Sequence, residues 1–413
     1  MDYFNFREGE LYAEDLKVRD LAEKYGTPLY IYSQSTLERH LRAFERALAP
    51  HPHQVCYSVK SNSNLAVIAL MAKLGAGFDV VSEGELRRVK AAGGDVRKAV
   101  FSGVGKTDEE LRYALNEGIL CLNVESAEEL AAVSRTAASL GVKAPVALRV
   151  NPDVDARTLP AISTGLKNNK FGISIEEAFA LYLKMAEDPH LKISGIDCHI
   201  GSQMTSTQPI LETADILIKL YKRLKEHGIS VDHIDLGGGL GVTYDAEMPP
   251  SPDDFFSGII ERFRGLDCKI FIEPGRAMVA NAGILACKVI YKKHNGDKKF
   301  IVTDGGMNDL IRPALYNAHM TIVNAHERPE SGAERCDIVG PVCESDDFLG
   351  RDRLLNAEDG DILAVRGAGA YGSSMSSCYN SRRQACEIMV SGASARVVRR
   401  RQSFEELWER ESV

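Results

Sequence analysis

The chain has 413 residues, 44% of them apolar and 26% charged, and 50 basic against 58 acidic side chains give a net charge of −8. This length is too great for one small core and suits two domains. The acidic balance, with no basic block longer than Arg399-Arg400-Arg401, argues against a nucleic-acid surface, so any anionic ligand must be held by a local site.

From the N-terminus, residues 1–10 carry Asp2, Glu8 and Glu10 and no apolar stretch, so no signal peptide is expected. No run reaches the ~18 apolar residues that would span a bilayer. The nine cysteines form no C-x-x-C pair, which disfavours a zinc ribbon or redox motif and suits a reducing cytoplasm. Short apolar runs follow at residues 29–32, 55–59, 78–81, 99–101, 119–124, 145–150, 193–199, 234–236 and 269–272. Amphipathic stretches lie between several of them, at 65–74, 83–92, 127–140 and 210–227. Strand alternating with helix predicts parallel βα units. Eight or nine units over roughly 245 residues match a (β/α)8 barrel, with a doubly wound sheet as the alternative.

Beyond about residue 276 the texture changes to short β-type runs, at 285–291, 299–303, 321–323, 335–339, 361–365 and 385–390, separated by turn residues. The expected class is α/β, with a TIM barrel over residues 25–276 and a mainly-β domain over 277–413. Residues 1–24 are expected to pack on the second domain.

Six segments carry candidate chemistry. Lys60, in Tyr57-Ser58-Val59-Lys60-Ser61-Asn62, ends a strand run, where barrel active sites lie. A partly desolvated lysine there can attack an aldehyde, although a strand-end lysine can also simply reach solvent. Asp79 ends the next run and could orient the site or cap the strand. His199-Ile200-Gly201-Ser202-Gln203 follows another strand; the imidazole could stack on a ligand ring and the serine could reach a phosphate. Leu236-Gly237-Gly238-Gly239-Leu240-Gly241 lets backbone N–H groups approach a phosphate, or makes a sharp turn. Glu273-Pro274-Gly275-Arg276 offers a carboxylate for a protonated ring nitrogen and a fork for an anion. Cys343-Glu344-Ser345-Asp346-Asp347 sets a thiol among carboxylates that disfavour its thiolate, leaving it able to donate a proton; a solvated acidic loop is the bland reading. In Gly367-Ala368-Gly369-Ala370-Tyr371-Gly372 the tyrosine could touch a ligand or cap a loop.

Gly103-Val104-Gly105-Lys106-Thr107 imitates the end of a phosphate-binding P-loop, but the full pattern needs glycine where Val100 stands. No H-E-x-x-H motif or histidine cluster supports a metal, and none is expected.

In this order the six segments resemble the fold-type III decarboxylases dependent on pyridoxal 5'-phosphate (PLP), over nearly the whole chain. The resemblance implies an alanine-racemase-like fold and a homodimer with shared active sites. It implies that Lys60 bonds the cofactor aldehyde, that Asp79 and His199 line the ring, and that Ser202, Gly238, Gly239, Gly275 and Arg276 hold the phosphate. Glu273 would face the pyridine nitrogen, Tyr371 would touch the cofactor, and Cys343 would be the proton donor reaching the partner's barrel. Ile311-Arg312-Pro313-Ala314-Leu315-Tyr316 resembles the segment of the diaminopimelate-specific members. By that likeness Arg276, Arg312, Tyr316, Glu344 and Tyr371 read the distal end of the substrate, where an arginine fork suits a carboxylate and Glu344 suits an ammonium. The expected reaction is decarboxylation of meso-2,6-diaminopimelate to L-lysine and CO2. A same-fold decarboxylase of ornithine, arginine or carboxynorspermidine is one alternative, and a non-catalytic PLP-binding relative is another.

Overall fold

The computed structural model describes residues 2–156 and 170–413. It divides into one unit made of His40–Val242 and Met248–Ala277, and another made of Met1–Arg39, Thr243–Glu247 and Met278–Val413.

The first unit is a closed barrel. His53–Ser58, Gly77–Val80, Ala99–Phe101, Cys121–Val124, Ala144–Asn151, Leu191–Asp197, His233–Asp235 and Lys269–Ile272 pair in that order, every pair parallel. Lys269–Ile272 returns to His53–Ser58 and closes the cylinder. Apolar side chains fill it, among them Cys56, Val100, Cys121, Ala147 and Phe271, as expected for an eight-stranded barrel with no room for a pore. The helices start where the sequence supplies a side-chain acceptor. Asn64, Ser82, Ser126, Ser174 and Ser251 accept N–H groups at the first turns of Leu65–Lys73, Glu83–Ala91, Ala127–Leu140, Ile175–Glu187 and Pro252–Phe263. Thr107 and Glu110 make a reciprocal capping box before Asp108–Asn116. Each cap satisfies an amide the helix cannot, so the turn from strand to helix is set locally.

The second unit is built on a sheet in the order Phe348–Leu355, Glu334–Val339, Lys298–Thr303, Gly283–Asn295, Leu29–Ser33, Cys386–Ser391, Ser394–Arg399. Ile362–Val365 pairs with both Gly283–Asn295 and Ile322–Asn324. Phe4, Leu11, Ala13, Val18 and Leu21 share its core with Leu29, Ile31, Ile284 and Ile388. The run at 29–32, read from sequence among the alternating units, is thus a strand of this sheet: it pairs parallel with Cys386–Ser391 and antiparallel with Gly283–Asn295. All five residues of Leu29–Ser33 are buried, and a strand covered on both faces reads alike in either sheet. Among the described residues no helix is long and apolar enough to cross a membrane.

Candidate active site

The barrel strands end in polar residues, and these converge. Lys60 stands in the single 3-10 turn Val59–Ser61 directly after His53–Ser58. Its Nζ lies 2.6 Å from Oδ2 of the fully buried Asp79, which sits beside Ser58 in register on the neighbouring strand. The Ser58 hydroxyl is 2.7 Å from the same Oδ2 and 2.9 Å from the Glu273 carbonyl oxygen. Burial works against ionisation of Asp79, but the Lys60 charge and hydrogen bond and the Ser58 hydroxyl outweigh it, so its pKa falls below the usual value.

His199 follows Leu191–Asp197. The Gly238 N–H donates to its Nδ1 at 3.2 Å. Lost hydration first, then the positive charges of Arg149 and Lys60, lower its pKa to about 3. The ring is therefore neutral, with Nδ1 as acceptor. Beside it the glycine loop packs backbone on backbone. A side chain at Gly238 would strike the Glu273 carbonyl oxygen at 2.4 Å, and one at Gly239, where φ is +118°, would meet the Gly201 oxygen at 2.8 Å. Only glycine lets these strand ends approach so closely.

Glu273 ends the last barrel strand and is 7% exposed. Its Oε1 lies 3.4 Å from both Ser102 Oγ and Asn123 Nδ2. Burial and then the charges of Asp235, Asp79 and Asp197 hold its pKa well above the usual range. Gly275 leaves room for Ser58 and Ser61, and Arg276 Nε donates to Ser202 Oγ at 3.1 Å. One end of the barrel thus collects Lys60, Asp79, His199, Ser202, Gly238, Gly239, Glu273, Gly275 and Arg276.

The same network contains residues the sequence reading passed over. Arg149 Nη1 pairs with Glu125 Oε1 at 3.0 Å, both buried, and its guanidinium lies 4.7 Å from the Phe171 ring centre. Asp197, Asp235 and Glu273 bring carboxylate oxygens within 4.8 Å of one another. Both aspartates end apolar strand runs, and a charged residue closing a buried strand is the signal that could have found them. An all-carboxylate group carries no histidine-based motif. Lys106 of the imitation P-loop is buried against Glu129 at 2.7 Å and donates to the carbonyls of Gly103 and Asn123, so its charge is committed to loop structure.

The remaining candidates belong to the second unit. Cys343 is exposed, and its N–H donates to Asn380 Oδ1 at 2.8 Å. Glu344 accepts from the Tyr379 hydroxyl. Asp347 ties this loop down by accepting the Met307 and Val342 N–H groups, each at 2.6 Å. Arg312 is buried at the start of the short helix Arg312–Tyr316, its guanidinium 4.6 Å from the Tyr244 ring centre. Tyr316 ends that helix. Tyr371 takes a left-handed φ of +55° in the glycine-rich loop.

An amine beside an ionised carboxylate, a neutral imidazole, a glycine cradle flanked by Ser202 and Arg276, and a buried carboxyl at the same end of the barrel fit PLP. The set supplies an amine for the aldehyde, donors for the phosphate and an acid for the ring nitrogen. Comparison with known proteins points the same way. The family described as "Pyridoxal-dependent decarboxylase, pyridoxal binding domain" matches residues 34–280. The chain is 53% identical to diaminopimelate decarboxylase of Haemophilus influenzae, covering 100% of both chains. It is 54% identical to that of Pseudomonas aeruginosa, covering 100% of this chain and 99% of the relative. The crystal structure of diaminopimelate decarboxylase from Helicobacter pylori complexed with L-lysine superimposes with a TM-score of 0.92 at 40% identity, covering 95% of this chain and 98% of that one. The chain belongs to the pyridoxal-dependent decarboxylases, and within them to the diaminopimelate decarboxylase family.

Proposed function

We propose that this chain decarboxylates meso-2,6-diaminopimelate to L-lysine and CO2, using PLP. The observation that carries the reading is Lys60 Nζ held 2.6 Å from a buried carboxylate at the strand ends of a barrel, in a chain matching diaminopimelate decarboxylases end to end. Bound PLP supplies the electron sink for the charge left when CO2 departs.

The protein's own groups do the rest. Lys60 is the amine that bonds the cofactor, and Asp79 orients it and takes up its positive charge. His199, neutral, presents a ring face to an aromatic ligand without adding charge. The amides of Gly238 and Gly239, the Ser202 hydroxyl, the Gly275 turn and the Arg276 guanidinium hold an anion. Glu273 faces the ring nitrogen. Cys343 delivers the proton to the substrate α-carbon, and Arg276, Arg312, Tyr316, Glu344 and Tyr371 select a distal centre bearing both a carboxylate and an ammonium. Nine free thiols support a reducing, cytoplasmic setting, and the shared-site homodimer completes the reading.

Purified protein supplied with PLP is expected to release L-lysine and CO2 from meso-diaminopimelate faster than CO2 from L-ornithine or L-arginine. Lys60→Ala should lower that rate by about 10²–10⁴-fold. Faster turnover of ornithine would overturn the substrate, and undiminished turnover by the variant would overturn the chemistry.

A further inference from the structure

The decarboxylase reading uses Glu273 but leaves Asp197 and Asp235 without a task. The two aspartates face each other in register at the ends of adjacent parallel strands, and both are completely enclosed, at 1% and 0% exposure. Asp235 Oδ1 accepts the Gly237 N–H at 2.8 Å. Asp235 Oδ2 and Asp197 Oδ1 are buried with no hydrogen-bond partner among the described residues. With Glu273 they place three carboxylates within 4.8 Å.

The charges around them do not balance. Lys60 is committed to Asp79 and Arg149 to Glu125. His199 is neutral and Cys198 is held as a thiol by burial. Among the described residues, the three carboxylates therefore share an enclosed space whose nearest cations already have carboxylate partners. Full ionisation there is disfavoured both by lost hydration and by mutual repulsion. A carboxyl proton removes one charge and at the same time provides the donor that the orphaned oxygens lack, the arrangement seen wherever two acids share one site. Burial is the largest cause at all three: it raises Asp197 to about 7 against the pull of Arg149, and with the charges of neighbouring acids it holds Asp235 and Glu273 well above the carboxylate range.

We propose that Asp197, Asp235 and Glu273 form a proton-sharing carboxyl cluster, in which Asp235 is a positioning residue that holds a proton against Glu273 and so sets the protonation state of the group facing the cofactor ring. Its link to the ring rests on the decarboxylase reading; the proton sharing does not. A divalent cation is the competing occupant of three carboxylates. The Gly237 N–H occupies Asp235 Oδ1, and the Asn123 amide and Ser102 hydroxyl occupy Glu273 Oε1, so a metal would have to use the second oxygens, and titration with added metal separates it from the proton.

The test is the infrared carbonyl band of protonated carboxyl groups in the full-length protein at neutral pH, with and without PLP. Glu85 and Asp309, also raised to about 7, add to the wild-type band, so the readout is wild type minus variant. Asp235→Asn and Asp197→Asn are each expected to remove the intensity of about one carboxyl group. Asp235→Glu should restore it, and added Mg2+ or Mn2+ should leave it unchanged. Absence of the band from wild type requires no variant to fold and would overturn the proposal. So would a band indifferent to both asparagine variants, or one weakened by either metal. A protein that releases no CO2 yet shows the expected difference would retain the cluster and lose only its catalytic link.

Discussion

Asp79 and Asp197 face the same barrel mouth and are driven in opposite directions. Burial raises both. At Asp79 it is overcome by Lys60 at 2.6 Å, whereas at Asp197 the pull of Arg149 is opposed by Glu125 and Asp79, and the value rises to about 7. An acid whose folded pKa lies above its unfolded value of about 3.9 contributes stability below that value and loses it as pH climbs through the folded one. Asp197→Asn removes this liability. The melting temperature of the variant relative to wild type should therefore rise between about pH 4 and about pH 7, then level off. His199, with its pKa lowered to about 3, destabilises the fold as pH drops below the usual histidine range. That effect is common to both proteins and cancels in the difference. Thermal unfolding followed by circular dichroism across this range checks the sign, and a difference independent of pH would contradict it.

The glycine turn after His233–Asp235 packs backbone against backbone. Its neighbour is the Glu273 carbonyl, which in turn carries a Ser58 contact at 2.9 Å. A methyl group at position 238 would sit 2.4 Å from that carbonyl oxygen, and a backbone atom cannot swing aside as a side chain would. Gly238→Ala is expected to cost about 1–3 kcal/mol, as other insertions into packed sites do, and to push the strand end bearing Glu273 out of place. PLP affinity, read from the visible absorbance during titration, should fall on the order of tenfold or more, since each 1.4 kcal/mol is a factor of ten. Unchanged affinity would show that the turn is not part of the cradle.

The chemistry assigned to the chain is divided between its two units. The amine, the anion cradle and Arg276 belong to His40–Val242 and Met248–Ala277; the thiol and Arg312, Tyr316, Glu344 and Tyr371 belong to Met278–Val413. The homodimer reading makes each active site a joint product of two chains, with Cys343 serving the partner's barrel. Mixing the Lys60→Ala and Cys343→Ala proteins under exchange conditions is then expected to recover about a quarter of wild-type turnover, because half of randomly paired dimers carry one intact site. No recovery, with exchange demonstrated by a tag, would place both groups in a single subunit's site.

Much of the architecture was legible one segment at a time. Apolar runs marked the barrel strands, and amphipathic stretches marked several of their helices. Lys60, His199, Gly238 and Glu273 could be singled out because each closes a strand run, and strand ends are where barrels place their chemistry. Helices such as Asp108–Asn116 and the edge strand Ser394–Arg399 went unread, since a short or half-exposed element has a weak pattern. What no local pattern contains is the identity of a distant neighbour. The assignment of Leu29–Ser33 to the second sheet depends on strands far along the chain. So does the return of Lys269–Ile272 to His53–Ser58. The meeting of Asp197, Asp235 and Glu273 is of the same kind. Hydrophobic periodicity is a property of consecutive residues, whereas strand pairing and the ionisation of a buried acid are set by whatever the fold brings within a few ångströms.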